Sequence, residues 1–305
     1  MINSNEPSHK QSSMIWMPLT VEHAVEQKNQ LGSDARYMSG TTLLQMQWES
    51  GQRIPKHLIS LEQISSLKEV KLLNNGDILA IGALTTLAKC RQHPMLKDSH
   101  SIICEAVKQI AAPAVRNRGT VGGNIMGGIG DLIPLFLTLE AELLFLHTFG
   151  EEKVEMWNWI KQDKDKQSGL LKEILIRNES PSTNKAVFFR KIGRRETFTA
   201  AIVTVSGSIS WTESGLIEHV KLAIGGGENK PVVLEQAEQL IRGKSIDAID
   251  WRAVYVAIGE EFVPVSDAFI TADYRKKVAA NLIIAELQSR LSSYNAREGR
   301  LDEIQ

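Results

Sequence analysis

Residues 111–146, AAPAVRNRGTVGGNIMGGIGDLIPLFLTLEAELLFL, decide how the chain is read. Two glycine turns lie inside this stretch, Gly119-Thr120-Val121-Gly122-Gly123-Asn124 and Met126-Gly127-Gly128-Ile129-Gly130-Asp131. From Leu132 to Leu146 the chain is almost wholly apolar apart from Thr138, Glu140 and Glu142. Glycine reaches φ > 0 and lets a ligand meet bare main chain. Successive bare N–H groups in such a turn bind anions, phosphates above all. Asp131 opens the apolar run, where it can cap a helix or accept hydrogen bonds from a polyol. Glycine spacing alone leaves a second reading open, in which the turns merely join core elements.

Upstream, Ser99–Ile110 carries Ile102, Ile103, Ala106, Val107 and Ile110 on one helical stripe. Thr85 or Thr86 starts a shorter helix that ends before Pro94. Asn75-Gly76, between Val70-Leu72 and Ile78–Gly82, predicts a hairpin. Nearer the N-terminus, Thr20 caps a helix that Gly32 stops, and Ala35–Met38 reads as a strand. That strand runs through Ser39-Gly40-Thr41-Thr42-Leu43 into a helix. Strand, small polar turn and helix aim backbone donors at a phosphate; an ordinary capped helix start is the alternative.

Downstream, Leu143–Leu146 reads as a buried strand, Met156–Ile160 as an aromatic segment packed on the core, and Glu173–Arg177 as a strand. The polar runs 161–169 and 178–185 are a solvated loop and a domain boundary. Phe188-Phe189-Arg190-Lys191-Ile192-Gly193-Arg194-Arg195 opens a second domain with either a functional basic face or a solvated strand edge. Two long strands follow, around Ala200–Ile209 and Ile217–Ile224, then a Gly225-Gly226-Gly227 turn before Pro231. The remainder is helical, ending in a helix within Phe269–Leu291 that contains Tyr274-Arg275.

The segment Arg116-Asn117, Thr120-Val121-Gly122-Gly123-Asn124 and Asp131 resembles the second flavin loop of the FAD-binding subunit of molybdenum hydroxylases, the xanthine dehydrogenase and carbon monoxide dehydrogenase family. Met38–Leu43 resembles that family's first loop, A-G-G-T-D-L, with Ser39 at its first glycine and Thr42 at its acidic position. The basic strand resembles the family's F-x-K-x-x-R-R pattern, whose first basic residue approaches the isoalloxazine. The matching position is taken as Arg190, with Lys191 beside it, and Thr199 stands where the family often has Asp.

The resemblance spans roughly residues 14 to 292 and implies an α+β fold. It has a two-subdomain FAD-binding domain of the PCMH (vanillyl-alcohol-oxidase-like) type over 14–182, dividing near residue 70. A smaller α+β domain with an antiparallel sheet follows over 183–292, with tails at 1–13 and 293–305. It implies FAD held by Ser39, Gly40, Thr41, Thr42, Leu43, Thr120, Val121, Gly122, Gly123, Asn124, Asp131, Arg190 and Lys191. It implies partner chains carrying a molybdenum–pterin site and [2Fe–2S] clusters, NAD or another acceptor, a hetero-oligomer up to a dimer of heterotrimers, and xanthine dehydrogenase-like purine chemistry. A scaffold that has lost flavin, or an unrelated small-ligand binder, are the rival readings.

At 305 residues, 43% hydrophobic and net charge −1, the chain has room for two or three domains. Its charge gives no general pull toward nucleic acid or anionic membrane. No run reaches the ~20 apolar residues of a membrane span. Cys90 and Cys104 are too few for a cluster and suit buried free thiols in a reducing cytoplasm. No Ser-His-Asp order, Walker loop or metal set occurs. Lack of an acid–base constellation agrees with a cofactor holder, because flavin supplies its own redox chemistry.

Overall fold

The computed structural model of the chain describes residues 12–162, 169–178, 184–194 and 201–302. Most of the N-terminal tail, most of the 161–169 loop, the centre of the 178–185 boundary, Arg195 and Thr199 lie outside the described residues.

The first unit alternates β1 (Met14–Trp16), α1 (Val21–Leu31), β2 (Ala35–Met38), α2 (Thr42–Glu49) and β3 (His57–Ser60). Its three strands are parallel, in the order β1-β3-β2. Thr20 starts α1 by accepting from His23 N at 3.2 Å, and Gly32 ends it at φ 62°. Val21, Ala24 and Val25 of α1 close a small core over Ile59, Ile64 and Leu67. α2 buries no residue fully, so it projects from the sheet with the first glycine turn at its start.

The second unit is a five-stranded antiparallel sheet, β4-β5-β8-β6-β7. It is built from β4 (Val70–Leu73), β5 (Ile78–Gly82), β6 (Glu142–His147), β7 (Gly150–Glu155) and β8 (Leu170–Arg177). The expected hairpin joins β4 to β5, and Asn74, Asn75 and Gly76 turn it with φ of 50°, 57° and 104°. Six short helices cover the sheet. They are α3 (Leu87–Gln92), α4 (Pro94–Ser99), α5 (Ser101–Lys108), α6 (Pro113–Arg118), α7 (Val121–Met126) and α8 (Ile133–Thr138), and α9 (Met156–Lys161) follows β7.

The stretch read as two turns is therefore largely helical. Pro113 sits in the first turn of α6, where its missing N–H is no loss, and Thr120 caps α7. The apolar run divides into α8 and β6. Every residue of α8 is buried because it lies between two sheets.

The third unit has the antiparallel order β12-β11-β10-β9, with β9 (Lys185–Gly193), β10 (Ala201–Trp211), β11 (Ile217–Gly226) and β12 (Asn229–Val233). β12 occupies the place where only a turn was expected, and Pro231 is tolerated there because β12 is an edge strand. One face of this sheet carries α10 (Glu235–Ile241), α11 (Trp251–Glu261) and α12 (Ala272–Asp302) over Phe188, Val205 and Leu222. α12 continues through most of the 293–305 segment read from sequence as a frayed tail. The other face meets α8. Phe189 and Ala223 join the core of the second unit, and Thr138 and Ser206 share a buried 2.8 Å hydroxyl hydrogen bond.

Glu238 on α10 is 3% exposed and accepts from Leu222 N at 2.8 Å. Burial pushes its carboxyl up from 4.5 to about 7, against the pull of that backbone N–H and of Lys221 and Arg242. Between those values the folded chain holds a proton that the unfolded chain has released. Stability therefore falls as pH rises from 4.5 through about 7. Glu238→Gln is expected to flatten this limb in urea melts across the interval. An unchanged slope would remove Glu238 as its source.

Candidate functional site

The Ser39-Gly40-Thr41-Thr42-Leu43 turn and the turn at residues 119–124, 81 positions apart at Ser39 and Thr120, meet back to back. A Cβ on Gly40 would stand 1.8 Å from Arg118 O and 2.5 Å from its carbonyl carbon, so only glycine lets this backbone approach. Ser39 Oγ lies 3.1 Å from Thr120 Oγ1, and Arg118 Nε donates to Gly40 O at 3.4 Å. A Cβ on Gly127 would meet Leu43 Cδ2 at 2.7 Å, so Leu43 seats against the end of α7.

Ser39, which stands at the family's first glycine, is not among the residues of positive φ. The left-handed residue is its neighbour Thr41, at φ 57° and ψ 1°. A β-branched residue in that region costs of order 1–3 kcal/mol and recurs at functional sites. The Thr41 hydroxyl donates to Gly40 O at 2.9 Å. No side chain caps α2, so the first-turn amides from Thr42 and Leu43 onward have no capping acceptor among the described residues.

The second turn is organised differently from a row of bare amides. Val121 N donates to Thr85 O at 3.0 Å and Gly122 N to Ala83 O at 2.8 Å. Gly123 N donates to Thr120 Oγ1 at 3.0 Å. Gly122 is glycine for packing, because a Cβ would come within 2.7 Å of Ala83 Cβ. Gly123 faces the seam, its Cβ position lying 3.0 Å from Thr120 Oγ1 and 3.6 Å from Ser39 Oγ. Asn124 folds the next turn: its Oδ1 accepts from Leu132 N at 3.0 Å and it occupies the space a Gly130 side chain would need.

Asp131 caps no helix. Its carboxylate accepts from Lys191 Nζ at 2.7 Å and Thr204 Oγ1 at 3.0 Å, tying the second turn to β9 and β10. The pair is largely buried, with side chains 16% and 7% exposed. Period-2 alternation separates the two basic candidates on β9. Lys191 faces Asp131. Arg190 faces the opposite layer and pairs with Glu286 of α12 at 2.7 Å. The structure thus puts Lys191, not Arg190, beside the glycine turns. The signal was present in the chain: Phe189-Arg190-Lys191-Ile192-Gly193-Arg194-Arg195 fits F-x-K-x-x-R-R with Lys191 as its first basic residue.

Two arginines that the sequence offered only as parts of patterns have buried structural roles. Arg116 is 8% exposed and donates to Ile110 O at 2.9 Å and to Ala111 O, which fixes the entry to α6. Arg275 is 5% exposed and ties Ile202 O to Asp267, beside the Gly226-Gly227 turn. A basic residue inside a helix gives no sequence sign of such burial.

Cys90 and Cys104 are buried free thiols, as expected, and burial pushes Cys90 up to about 12, so it stays a neutral thiol. Among the described residues no group of His, Cys, Asp and Glu can hold a metal, and no helix is long and apolar enough to cross a membrane. A cavity of about 1380 Å³ lies between α5, α8 and the C-terminal sheet, but no glycine-turn residue lines it. The hydroxyls, amides and bare glycines of the seam are the better fit to a dinucleotide phosphate.

Residues 10–178 match the FAD binding domain in molybdopterin dehydrogenase, and residues 188–289 match the CO dehydrogenase flavoprotein C-terminal domain. The chain belongs to this flavoprotein family. The 6-hydroxypseudooxynicotine dehydrogenase complex subunit alpha of Paenarthrobacter nicotinovorans is 24% identical over 276 residues, 89% of this chain and 92% of that one. A putative xanthine dehydrogenase FAD-binding subunit of Escherichia coli is 23% identical over 247 residues, 79% of this chain and 83% of that one. In the solved carbon monoxide dehydrogenase of Hydrogenophaga pseudoflava, a chain superposes with TM-score 0.82 at 23% identity, covering 90% of this chain and 95% of that one. The three units are thus those of the molybdopterin-dehydrogenase flavoproteins.

Proposed function

We propose that this flavoprotein subunit holds FAD across the seam of its two glycine turns and passes electrons from iron–sulfur clusters on a partner chain to NAD or another acceptor. The observation that carries the reading is the contact of Gly40 with the Arg118 backbone, which joins the two turns into one cradle. FAD supplies the redox chemistry when bound. The chain supplies position and charge. The uncapped α2 amides and the hydroxyls of Ser39, Thr41, Thr42 and Thr120 would hold the pyrophosphate, and the missing side chains at Gly40 and Gly123 let the two turns close around it. Lys191, paired with Asp131, would border the bound flavin as half of a buried ion pair rather than as a free cation.

The proposal includes a molybdenum–pterin large subunit and a [2Fe–2S] small subunit as partners, assembled in the cytoplasm. Two buried free thiols suit that reducing compartment. The hydroxylated substrate would meet the partner, not this chain. The relatives' names span pseudooxynicotine, xanthine and carbon monoxide. The xanthine dehydrogenase FAD-binding subunits among the relatives support the purine assignment.

Purified chain is expected to be yellow, with a flavin spectrum and stoichiometric FAD released by heat. A folded, colourless preparation that takes up no added FAD would overturn the reading. Tagged chain drawn from its native cells is expected to bring the two partner subunits with it.

A further inference from the structure

We propose that Arg118 is the counter-ion of the FAD pyrophosphate, a cofactor-binding residue that neither glycine motif assigns. The proposal rests on the cradle described above and deepens it. Arg118 is exposed, yet its position is fixed twice. Its backbone carbonyl is seated against Gly40, in the space a Cβ would fill 1.8 Å away. Its side chain folds back so that Nε donates to Gly40 O at 3.4 Å. The guanidinium therefore stands on the seam itself, joined to both turns. With Nε so engaged, the two terminal nitrogens remain as a fork that matches a phosphate's oxygens.

Other cations nearby are committed elsewhere. Arg116 is buried and spent on the carbonyls of Ile110 and Ala111. Lys191 is paired with Asp131, and Lys89 donates to Lys68 O. Among the described residues no carboxylate lies within ion-pair distance of Arg118. A pyrophosphate carries two negative charges, and the rest of the cradle offers only neutral amides and hydroxyls. An unneutralised arginine at the seam supplies the charge those groups lack.

The test uses the full chain stripped of flavin and titrated with FAD and with riboflavin, which has no phosphate. Arg118→Gln is expected to weaken FAD binding by about 10- to 100-fold, the range of a charge-assisted pair. It is expected to leave riboflavin binding and the thermal midpoint unchanged, and to lessen the salt dependence of FAD binding. Arg118→Lys is expected to recover part of the loss, keeping the charge without the fork. Equal FAD affinity in Arg118→Gln and the unmutated chain would overturn the proposal. So would an equal loss for riboflavin, which would mark a purely structural role. Failure of the unmutated chain to bind FAD would instead overturn the cofactor reading, and the counter-ion with it.

Discussion

Gly40→Ala is expected to raise the dissociation constant for FAD by about 100-fold, which corresponds to ~2.7 kcal/mol. The added methyl would meet Arg118 O at 1.8 Å, Arg118 C at 2.5 Å and Gly119 N at 3.1 Å. All three are backbone atoms, so no flexible side chain can yield. The turns must separate, which parts Ser39 from Thr120 and lifts Arg118 from the Gly40 carbonyl. Forcing extra volume into a close contact also lowers stability, by about 1–3 kcal/mol. Gly259→Ala on α11 is the control, because a methyl there meets nothing within 4 Å. It is expected to hold FAD normally and to gain about 0.5–1 kcal/mol from better helix propensity. Fluorescence titration with FAD reads the first effect and thermal melting the second. Normal FAD affinity in Gly40→Ala would show that the contact between the turns does not matter to binding.

Lys191→Met is expected to destabilise the chain by about 3 kcal/mol, because it leaves the Asp131 carboxylate buried without its cation. Thr204 still donates to that carboxylate, which softens but does not cancel the loss. The same pair joins the second unit to the C-terminal sheet, so its loss loosens that junction as well as the loop. Replacing both partners, Asp131→Leu with Lys191→Met, is expected to recover most of the stability, since no uncompensated charge remains. Arg190→Met removes a neighbouring cation whose side chain is 44% exposed and paired with Glu286. Its cost is expected to stay below ~1 kcal/mol. Thermal melts of the unmutated chain, Asp131→Leu, Lys191→Met and the double variant form a double-mutant cycle, with Arg190→Met as the control. Additive losses at 131 and 191 would deny that the pair acts as a unit.

Local signals carried far in this chain where they belonged to one short segment. Thr20 and Gly32 bounded α1, and Asn75-Gly76 turned β4 into β5. Thr120 was legible as part of a motif, but its role as the cap of α7 was not, because glycines at 122 and 123 disguise a helix start. Gly122 looked like a ligand-facing residue. Its amide and its missing Cβ serve Ala83 instead, a neighbour that no local pattern names. The Arg190 and Lys191 assignment turned on strand phase. A one-residue slip exchanges the two faces of a sheet, so aligning the pattern one position early gave its first basic place to Arg190, whose side chain faces Glu286 instead.

By itself the sequence determined the family, the order of strands and helices near its clear caps, the position of the glycine motifs and the free thiols. These follow from backbone preference and spacing within a few residues. Only the tertiary structure decided that the turns interlock at Gly40 and Arg118, that Asp131 clasps Lys191 and Thr204, and that α8 is buried between two sheets. Each of these joins residues some 60 to 80 positions apart. Contact at that range is set by how whole sheets stack, a quantity no short stretch of chain encodes.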